Sequence, residues 1–403
     1  MLMNDHVKAD CERTDIMKYS NRILNTPASF TRRILAIAAD PSIISFAGGL
    51  PNPTSFPMDN IQASLDRIIG TYGDKLFQYA TTPGYEPLRQ YIADKYNQQH
   101  QLGLTADDIL ITTGSQQALD LIGKVVINED DRLIIEEPGY LGAIQAFSLY
   151  QPQFVTVPFE ESGLNIPALT EALKEPNVKC MYTVPNFQNP SGLTYSKENR
   201  LAVAKALKGN DVFLIEDDPY GELRFRGEQL PYIGVNDPEH SILLGSFSKT
   251  ITPGMRIGFI ITRNKELMQY LNVAKQASDL HTNIFAQYVI YDYLTHNDYY
   301  THIDKIINMY RNQSNTMLTA MDEYFPAHVK YTKPEGGMFI WATLPEDQSS
   351  MELFDKAMEK HVAFVPGNPF YVDKDFVNTL RLNYTNSTDE AIVEGIKRLA
   401  SVM

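Results

Sequence analysis

The 403-residue chain is poor in cysteine: it has two, Cys11 and Cys180, and neither belongs to a CxxC pair or a Cys/His cluster. A disulfide framework and a zinc site therefore have no support, and no metal is expected. Basic charge is also short, with 35 lysines and arginines against 49 aspartates and glutamates, a formal charge of −14. A nucleic-acid binder ordinarily shows the opposite balance. No apolar run approaches the ~18 residues that a membrane helix needs. The stretch from Met1 to Tyr19 is charged throughout, without the apolar centre of a secretory leader. Internal repeats and low-complexity tracts are missing as well. These absences leave a reducing cytoplasm as the expected compartment, with neither nucleic acid nor membrane as a partner.

What remains is ordinary globular composition, 43% apolar and 21% charged. The length exceeds one simple core and predicts two domains, or one large domain with a lobe. From Ile16 to Thr262, short apolar strands alternate with amphipathic helices. Strands are expected near 108–112, 132–136, 153–158, 179–184, 211–218, 241–244 and 257–262. Helices are expected at 29–39, 58–69, 86–99, after Thr113, after Tyr140, at 164–173 and at 196–207. That alternation predicts a doubly wound α/β domain with a sheet covered on both faces. After Thr262 the texture changes to helices at 264–279 and 284–294 and a long helix at 300–325. A second lobe follows, with strands at 329–331, 336–341, 362–366 and 379–384 and a helix at 351–361. Ser387 to Glu390 reads as a capping box that opens the final helix.

The chemistry-bearing residues sit in loops that follow strands. In Ser246-Phe247-Ser248-Lys249, an apolar run ends in hydroxyls and a lysine, and Arg256 follows a Pro-Gly turn. Lys249 is either an ordinary loop lysine or an amine held for nucleophilic work, since desolvation and nearby cations lower a lysine pKa. Gly114-Ser115-Gln116-Gln117 leads from a strand into a helix; such starts bind phosphate, although Ser115 could be only a cap. Tyr140 follows a Glu-Pro-Gly turn and could form a platform for a flat ring or simply pack. Glu216, Asp217 and Asp218 close a buried-type strand, where open α/β sheets bind ligands. A metal site there is disfavoured, because no histidine or second carboxylate cluster stands nearby. Arg381 interrupts an apolar alternating strand; it either faces solvent or turns inward as a two-bonded carboxylate clamp.

Taken in order, these loops resemble the fold-type-I pyridoxal-phosphate enzymes of the class I/II aminotransferase family. The matching motifs are Ala47-Gly48-Gly49-Leu50-Pro51, Gly114-Ser115-Gln116-Gln117, Glu137-Pro138-Gly139-Tyr140, Gln188-Asn189-Pro190-Ser191-Gly192, Asp217-Asp218-Pro219-Tyr220, Ser246-Phe247-Ser248-Lys249 and Arg381-Leu382. They span the chain from near Ser45 to the C-terminus. The Gly-Gly-Leu-Pro-Asn-Pro and Gln-Asn-Pro-Ser-Gly variants are most similar to 2-aminoadipate, kynurenine and aromatic aminotransferases. Serine stands where the family more often has threonine in Asn-Pro-Thr-Gly, and it keeps the hydroxyl.

The resemblance implies a large cofactor-binding domain at 46–300 with a mostly parallel, seven-stranded type of sheet. It also implies a linking helix and a smaller α+β domain at 301–403, and an N-terminal arm at 1–45 that joins the smaller domain. The implied cofactor is pyridoxal 5′-phosphate, held covalently by Lys249, which then serves as the base at the substrate Cα. Asp217 would pair with the ring nitrogen, Asn189 and Tyr220 with the ring 3′ oxygen, and Tyr140 with the ring face. Ser115, Gln116, Ser246, Ser248 and Arg256 would hold the phosphate. Arg381 would bind the substrate α-carboxylate, with Gly49 and Asn189 beside it. Tyr79 matches a tyrosine that reaches the phosphate of a neighbouring subunit, which implies a homodimer with shared sites. The loop Leu280–Asn283 would face the same partner.

The implied reaction is a ping-pong transfer of the amino group of an L-amino acid to a 2-oxo acid, usually 2-oxoglutarate. Two other outcomes share parts of this pattern. A cofactor-sensing regulator needs a basic DNA-binding domain before the Gly-Gly-Leu-Pro loop, and the 47 residues before Gly48 show no helix-turn-helix pattern. A lyase or decarboxylase on the same fold shares the motifs and differs in which Cα bond breaks. Side-chain selectivity is expected near 29–33 and 52–56, where Arg32 or Arg33 would meet an acidic substrate.

Overall fold

The structure, a computed structural model, describes residues 19–26, 40–374 and 376–403. The helix expected at 29–39, together with Arg32 and Arg33, lies outside the described residues, and so does Cys11. Twelve helices of the α type are present among the described residues. They are α1 (Asn21–Leu24), α2 (Met58–Tyr72), α3 (Glu86–His100), α4 (Gly114–Val126), α5 (Leu141–Ser148), α6 (Ile166–Ala172), α7 (Lys197–Leu207), α8 (Lys265–Ser278), α9 (Ile284–His296), α10 (Tyr299–Tyr324), α11 (Ser350–Glu359) and α12 (Asp389–Ala400). None is long and apolar enough to cross a membrane.

A short first strand, β1 (Ile44–Ser45), precedes the main sheet. That sheet is built from β2 (Ile109–Thr112), β3 (Arg132–Glu137), β4 (Gln153–Glu160), β5 (Gly163–Leu164), β6 (Val178–Thr183), β7 (Phe213–Asp217), β8 (Ser241–Ser246) and β9 (Gly258–Ile261). The order across it is β2-β9-β8-β7-β6-β3-β4-β5. The pairs β3–β4, β3–β6, β6–β7 and β7–β8 are parallel, whereas β9 runs antiparallel to both β2 and β8. β5 is a two-residue antiparallel addition to β4. Without that addition the sheet is the mostly parallel, seven-stranded α/β sheet expected from the sequence.

The strands are apolar on both sides because both sides are covered. Successive side chains of a strand point to opposite faces. Leu133 and Ile135 join one core cluster while Ile134 joins another. In the same way Cys180 and Tyr182 face one cluster and Met181 the other; Ile215 and Leu214 divide likewise. α6 and α7 cover the second face, through Leu169 and Val203. All the parallel strands therefore end at one edge, and the loops that leave this edge are the ones that carry the candidate chemistry.

A smaller antiparallel sheet follows α10. Its region contains β10 (Lys330–Tyr331), β11 (Phe339–Thr343), β12 (Val362–Ala363), β13 (Val365–Pro366) and β14 (Thr379–Asn383), and the four-stranded order is β10-β11-β14-β13. β12 leaves this sheet and pairs in parallel with β1. The single strand expected at 362–366 is thus two, because the halves bond different partners and buried Phe364 lies between them. Two further expectations need correction. The helix expected from Leu164 begins at Ile166: Gly163 and Leu164 pair with β4, and the Asn165 side chain caps the helix from Ala168 N–H at 2.8 Å. The final helix is capped by Thr388, which accepts from Ala391 N–H at 3.3 Å, so Ser387 to Glu390 is not the capping box expected.

Pairing of β1 with β12 fixes the approach to the Gly48-Gly49 loop. Phe46 N–H donates to Ala363 O at 2.8 Å, and Asn383 N–H donates to Phe46 O at 2.8 Å. The backbone of 46–47 is thereby threaded beside β14, which brings Ala47 O to Arg381. The loop beyond is tied to α10, where Tyr310 Oη accepts from Asn52 N–H at 3.1 Å, and to Thr385, whose hydroxyl donates to Leu50 O at 3.0 Å.

Candidate active site

At the carboxyl edge of the main sheet lies a cleft of about 290 Å³. Its walls include Gly49, Ser115, Gln116, Tyr140, Asn189, Asp217, Tyr220, Ser246, Ser248, Lys249, Arg256 and Arg381. Twelve of the thirteen residues singled out in the sequence thus converge, from seven separate segments. Tyr79 does not. It is 81% exposed and meets the edge of the His281 ring, away from the cleft. A larger groove of about 460 Å³ lies where the strands begin, between α7 and the turn at 233–236.

At one end of the cleft the loop after β2 turns into α4. Gly114 has φ +73°, and a Cβ there would lie 2.2 Å from Arg256 Nη2. Only glycine lets the guanidinium approach the helix start so closely. Arg256 also reaches Ser248 Oγ at 3.3 Å and Thr113 O at 3.4 Å. Ser248 N–H donates to Ser246 Oγ at 3.1 Å. Gln116 is anchored through its Nε2 to Gly142 O at 2.9 Å. The Ser115 hydroxyl is shielded from solvent and has no partner among the described residues. First-turn N–H groups also lack helical acceptors. An arginine, an orphan hydroxyl and free N–H groups together form a cradle for an anion.

Asp217 also lines the cleft, stands at the end of β7 and is 2% exposed. Its Oδ2 accepts from the Tyr182 hydroxyl at 2.8 Å, while Oδ1 is buried without a partner among the described residues. Burial pushes its pKa up to about 7; the Tyr182 hydrogen bond opposes the rise, and the Asp218 and Glu136 charges add to it. A protonated nitrogen placed at Oδ1 would complete the pair. Tyr140 and Tyr220 are both raised by burial, Tyr140 to about 12.

Lys249 projects into the cleft, and its Nζ donates to Gly49 O at 2.7 Å. Burial, then the charges of Arg381 and Arg256, pull its pKa down to about 8. That places a useful share of neutral amine near neutral pH, as a nucleophilic lysine requires.

Arg381, on β14, is 5% exposed and turns inward rather than toward solvent. Nη1 donates to Asn189 Oδ1 and Nη2 to Ala47 O, each at 2.8 Å. The guanidinium lies 4.3 Å from the Phe339 ring centre and 5.2 Å from that of Phe370. Nε is buried and has no hydrogen-bond partner among the described residues. Five N–H donors minus these two leave a fork for a carboxylate.

The Asn189 loop is itself fastened underneath. Gln188 Nε2 donates to Glu136 Oε2 at 2.9 Å and to Pro138 O at 2.7 Å, and Gln188 Oε1 accepts from Ser191 N–H at 2.9 Å. Glu136 also accepts from Thr183, Tyr195 and the Val184 N–H. Sequence reading missed Tyr182, Leu141 and Val184 in the cleft wall. It also missed the two phenylalanines that flank Arg381. Glu216 and Asp218 point away from the cleft: Glu216 accepts from Ile233 and Gly234 N–H, and Asp218 from Asn186 and Tyr232. Among the described residues no group of three or more metal-ligating side chains is arranged to hold an ion.

Comparison with known proteins gives a consistent set of relatives. Residues 54–399 match the family described as aminotransferase class I and II. An aromatic-amino-acid aminotransferase of Thermococcus litoralis is 41% identical, over 98% of this chain and 96% of its own length. Kynurenine aminotransferase of Pyrococcus horikoshii, solved in complex with PMP, superposes with a TM-score of 0.91 at 42% identity, covering 95% of this chain and 96% of that one. An α-aminoadipate aminotransferase of Thermus thermophilus, solved with N-(5′-phosphopyridoxyl)-L-leucine, gives 0.88 at 39% identity, with coverage of 95% and 96%.

Proposed function

The chain belongs to the class I and II aminotransferases, and on that premise we propose how its cleft works and on what. The cofactor is pyridoxal 5′-phosphate, which when bound supplies a reactive carbonyl and a ring that takes up electrons from the substrate Cα. The observation that carries this reading is a pair of buried polar atoms on cleft-lining residues that find no partner among the described residues, Asp217 Oδ1 and Ser115 Oγ. One fits a protonated ring nitrogen and the other a phosphate oxygen, with Lys249 in the same cleft.

Each residue has a task its surroundings support. Ser115, Gln116, Ser246, Ser248 and Arg256 bind the phosphate. Asp217 keeps the ring nitrogen protonated, and a protonated nitrogen beside it would draw its pKa back down. Asn189 and Tyr220 would hold the ring oxygen, and Tyr140 would cover the ring face. Lys249 Nζ would hold the cofactor, and when free of it the same nitrogen would take the proton from the substrate Cα. Arg381 orients the substrate by its α-carboxylate, beside Gly49 and Asn189, so that the Cα–H bond faces Lys249.

The donor is an L-amino acid with an aromatic or 2-aminoadipate-like side chain, and the acceptor is 2-oxoglutarate, in two half-reactions that share the site. The relatives' names support that substrate class, and they favour transamination over the lyase and decarboxylase outcomes. The large cofactor-binding unit spans 46–300 and the smaller one 301–403; Arg32 or Arg33, outside the described residues, would select a substrate with an acidic side chain. A second copy of the chain brings Tyr79 to the phosphate; the exposure of Tyr79 and of neighbouring Phe77 supports this. We place the homodimer in the cytoplasm.

A panel of amino acids offered with 2-oxoglutarate, scored for glutamate, tests the reading. Glutamate should form with aromatic donors or 2-aminoadipate. Ammonia or carbon dioxide without glutamate would overturn it. If neutral substitutions at Arg32 and Arg33 left the acidic-to-aromatic preference unchanged, the role given to them would be wrong.

A further inference from the structure

The helix start that forms the anion cradle is braced by a lysine that the cleft itself does not use. Lys275 lies in the last turn of α8, and its side chain is 0% exposed. Lysine is almost never fully buried unless it is paired. Here the three ammonium hydrogens meet three groups: Gln117 Oε1 at 2.9 Å, Thr282 Oγ1 at 2.9 Å and the Asp279 carboxylate at 2.9 and 3.0 Å. Burial lowers the lysine pKa, and Asp279 works against that.

Gln117 is the link to the cleft. It sits in the first turn of α4, one residue beyond Ser115 and Gln116 on the cleft wall. Its Oε1 also accepts from Thr113 N–H at 2.8 Å, and its Nε2 donates to Asp279 Oδ2 at 2.6 Å. One amide side chain is therefore held at both ends while it caps the N–H that precedes the helix. Thr282 adds a second tie, donating to Ile111 O at 3.4 Å on β2, the strand that feeds the cradle. Helix ends fray unless something fixes them. An anion site made of first-turn N–H groups loses strength when those groups are not preorganised.

We propose that Lys275, acting through Gln117, is a positioning residue for the phosphate: it locks the first turn of α4 in the geometry that receives a phosphate monoester. The inference rests on the assignment of that cradle to the cofactor phosphate. A purely structural lysine would affect stability without discriminating phosphorylated from unphosphorylated ligands.

The test compares pyridoxal 5′-phosphate with pyridoxal, which lacks only the phosphate. Both are titrated by absorbance into cofactor-free full-length protein. Wild type should bind the phosphate ester far more tightly. Lys275→Met should lose about tenfold of that preference, a magnitude typical of one charge-assisted contact, while its affinity for pyridoxal stays within about twofold. Gln117→Met, which breaks the same link at a less buried residue, should reproduce the selective loss and keeps the test open if Lys275→Met fails to fold. The double variant should be no worse than the worse single one. An unchanged preference in Gln117→Met, or an equal loss for both ligands, overturns the proposal. Equal binding of both ligands by wild type would instead overturn the phosphate cradle itself.

Discussion

Lys249 and Lys275 are both drawn out of water, and they are treated in opposite ways. Among the described residues, Lys249 has one hydrogen-bond acceptor, a backbone carbonyl, and no ion-paired carboxylate; its charged neighbours are Arg381 and Arg256. Lys275 has three acceptor groups, one of them the Asp279 carboxylate. Burial lowers the pKa of both, but at Lys249 the cations deepen the shift, and at Lys275 the carboxylate opposes it. The difference shows what makes a buried lysine reactive. Desolvation alone is not enough; the charge must also be left without compensation, so that the neutral amine is the better-tolerated form.

Removing each amine gives the largest contrast. Lys249→Ala should reduce turnover by at least about 10⁴-fold, because the anchor and the base are lost together. Lys275→Met, assayed at saturating cofactor, should stay within about threefold of wild type. A large loss of turnover at saturation in Lys275→Met would break the comparison.

The carboxylate at Asp217 extends the comparison to a buried acid. Asp217→Asn should lower turnover by about 10²–10³-fold, a loss typical of a preorganised electrostatic partner. Stability should move the other way. Burial raises the folded-state pKa of Asp217 to about 7, against an unfolded value of ~4. Between those values the folded protein binds more protons than the unfolded chain, so its contribution to stability falls as pH rises and levels off above about 7. Cofactor-free Asp217→Asn should therefore unfold at a higher temperature than wild type at pH 8, and differ least near pH 4. Glu216, also raised to about 7, leaves part of the slope in both proteins.

A third prediction separates the lysines by reactivity. An amine-directed reagent should modify Lys249 of the cofactor-free protein with an apparent pKa of about 8. Lys275 should remain unmodified in the folded protein at any pH where the fold persists. Arg381→Met should shift the Lys249 profile to higher pH, because a neighbouring positive charge is gone. The smallest effect is expected at Asp279→Asn, which leaves the Lys275 ammonium with neutral acceptors. Since the Asp279 side chain is 27% exposed, a loss of about 1–2 kcal/mol is expected, below the 3–5 kcal/mol of a fully buried pair. Chemical denaturation would measure it.

The main sheet was legible because both of its faces are covered, so its strands are short, apolar and separated by helical periods. The cleft was legible because its residues cluster at strand ends in a recurring order. Tyr182 was missed for a physical reason: inside an apolar strand, alternation says which residues share a face but not which face meets a ligand. Lys275 was missed because a lysine in a last helical turn reads as a partner of the helix dipole, and Asp279 four residues on reads as a surface pair. Its burial depends on Gln117 and Thr282, which only the tertiary fold brings together. The run 362–366 looked like one strand because composition does not reveal a change of sheet at Phe364. The capping box expected from Ser387 to Glu390 fails because the neighbouring Thr388 hydroxyl caps the helix one residue later.

The most direct test of the central claim is to add pyridoxal 5′-phosphate to the full-length protein, reduce with borohydride, and map the modified peptide by mass spectrometry. A single phosphopyridoxyl adduct on Lys249, with Lys275 untouched, is the predicted result. An adduct on another lysine, or no adduct in a folded protein, would contradict the assignment of Lys249 as the reactive amine.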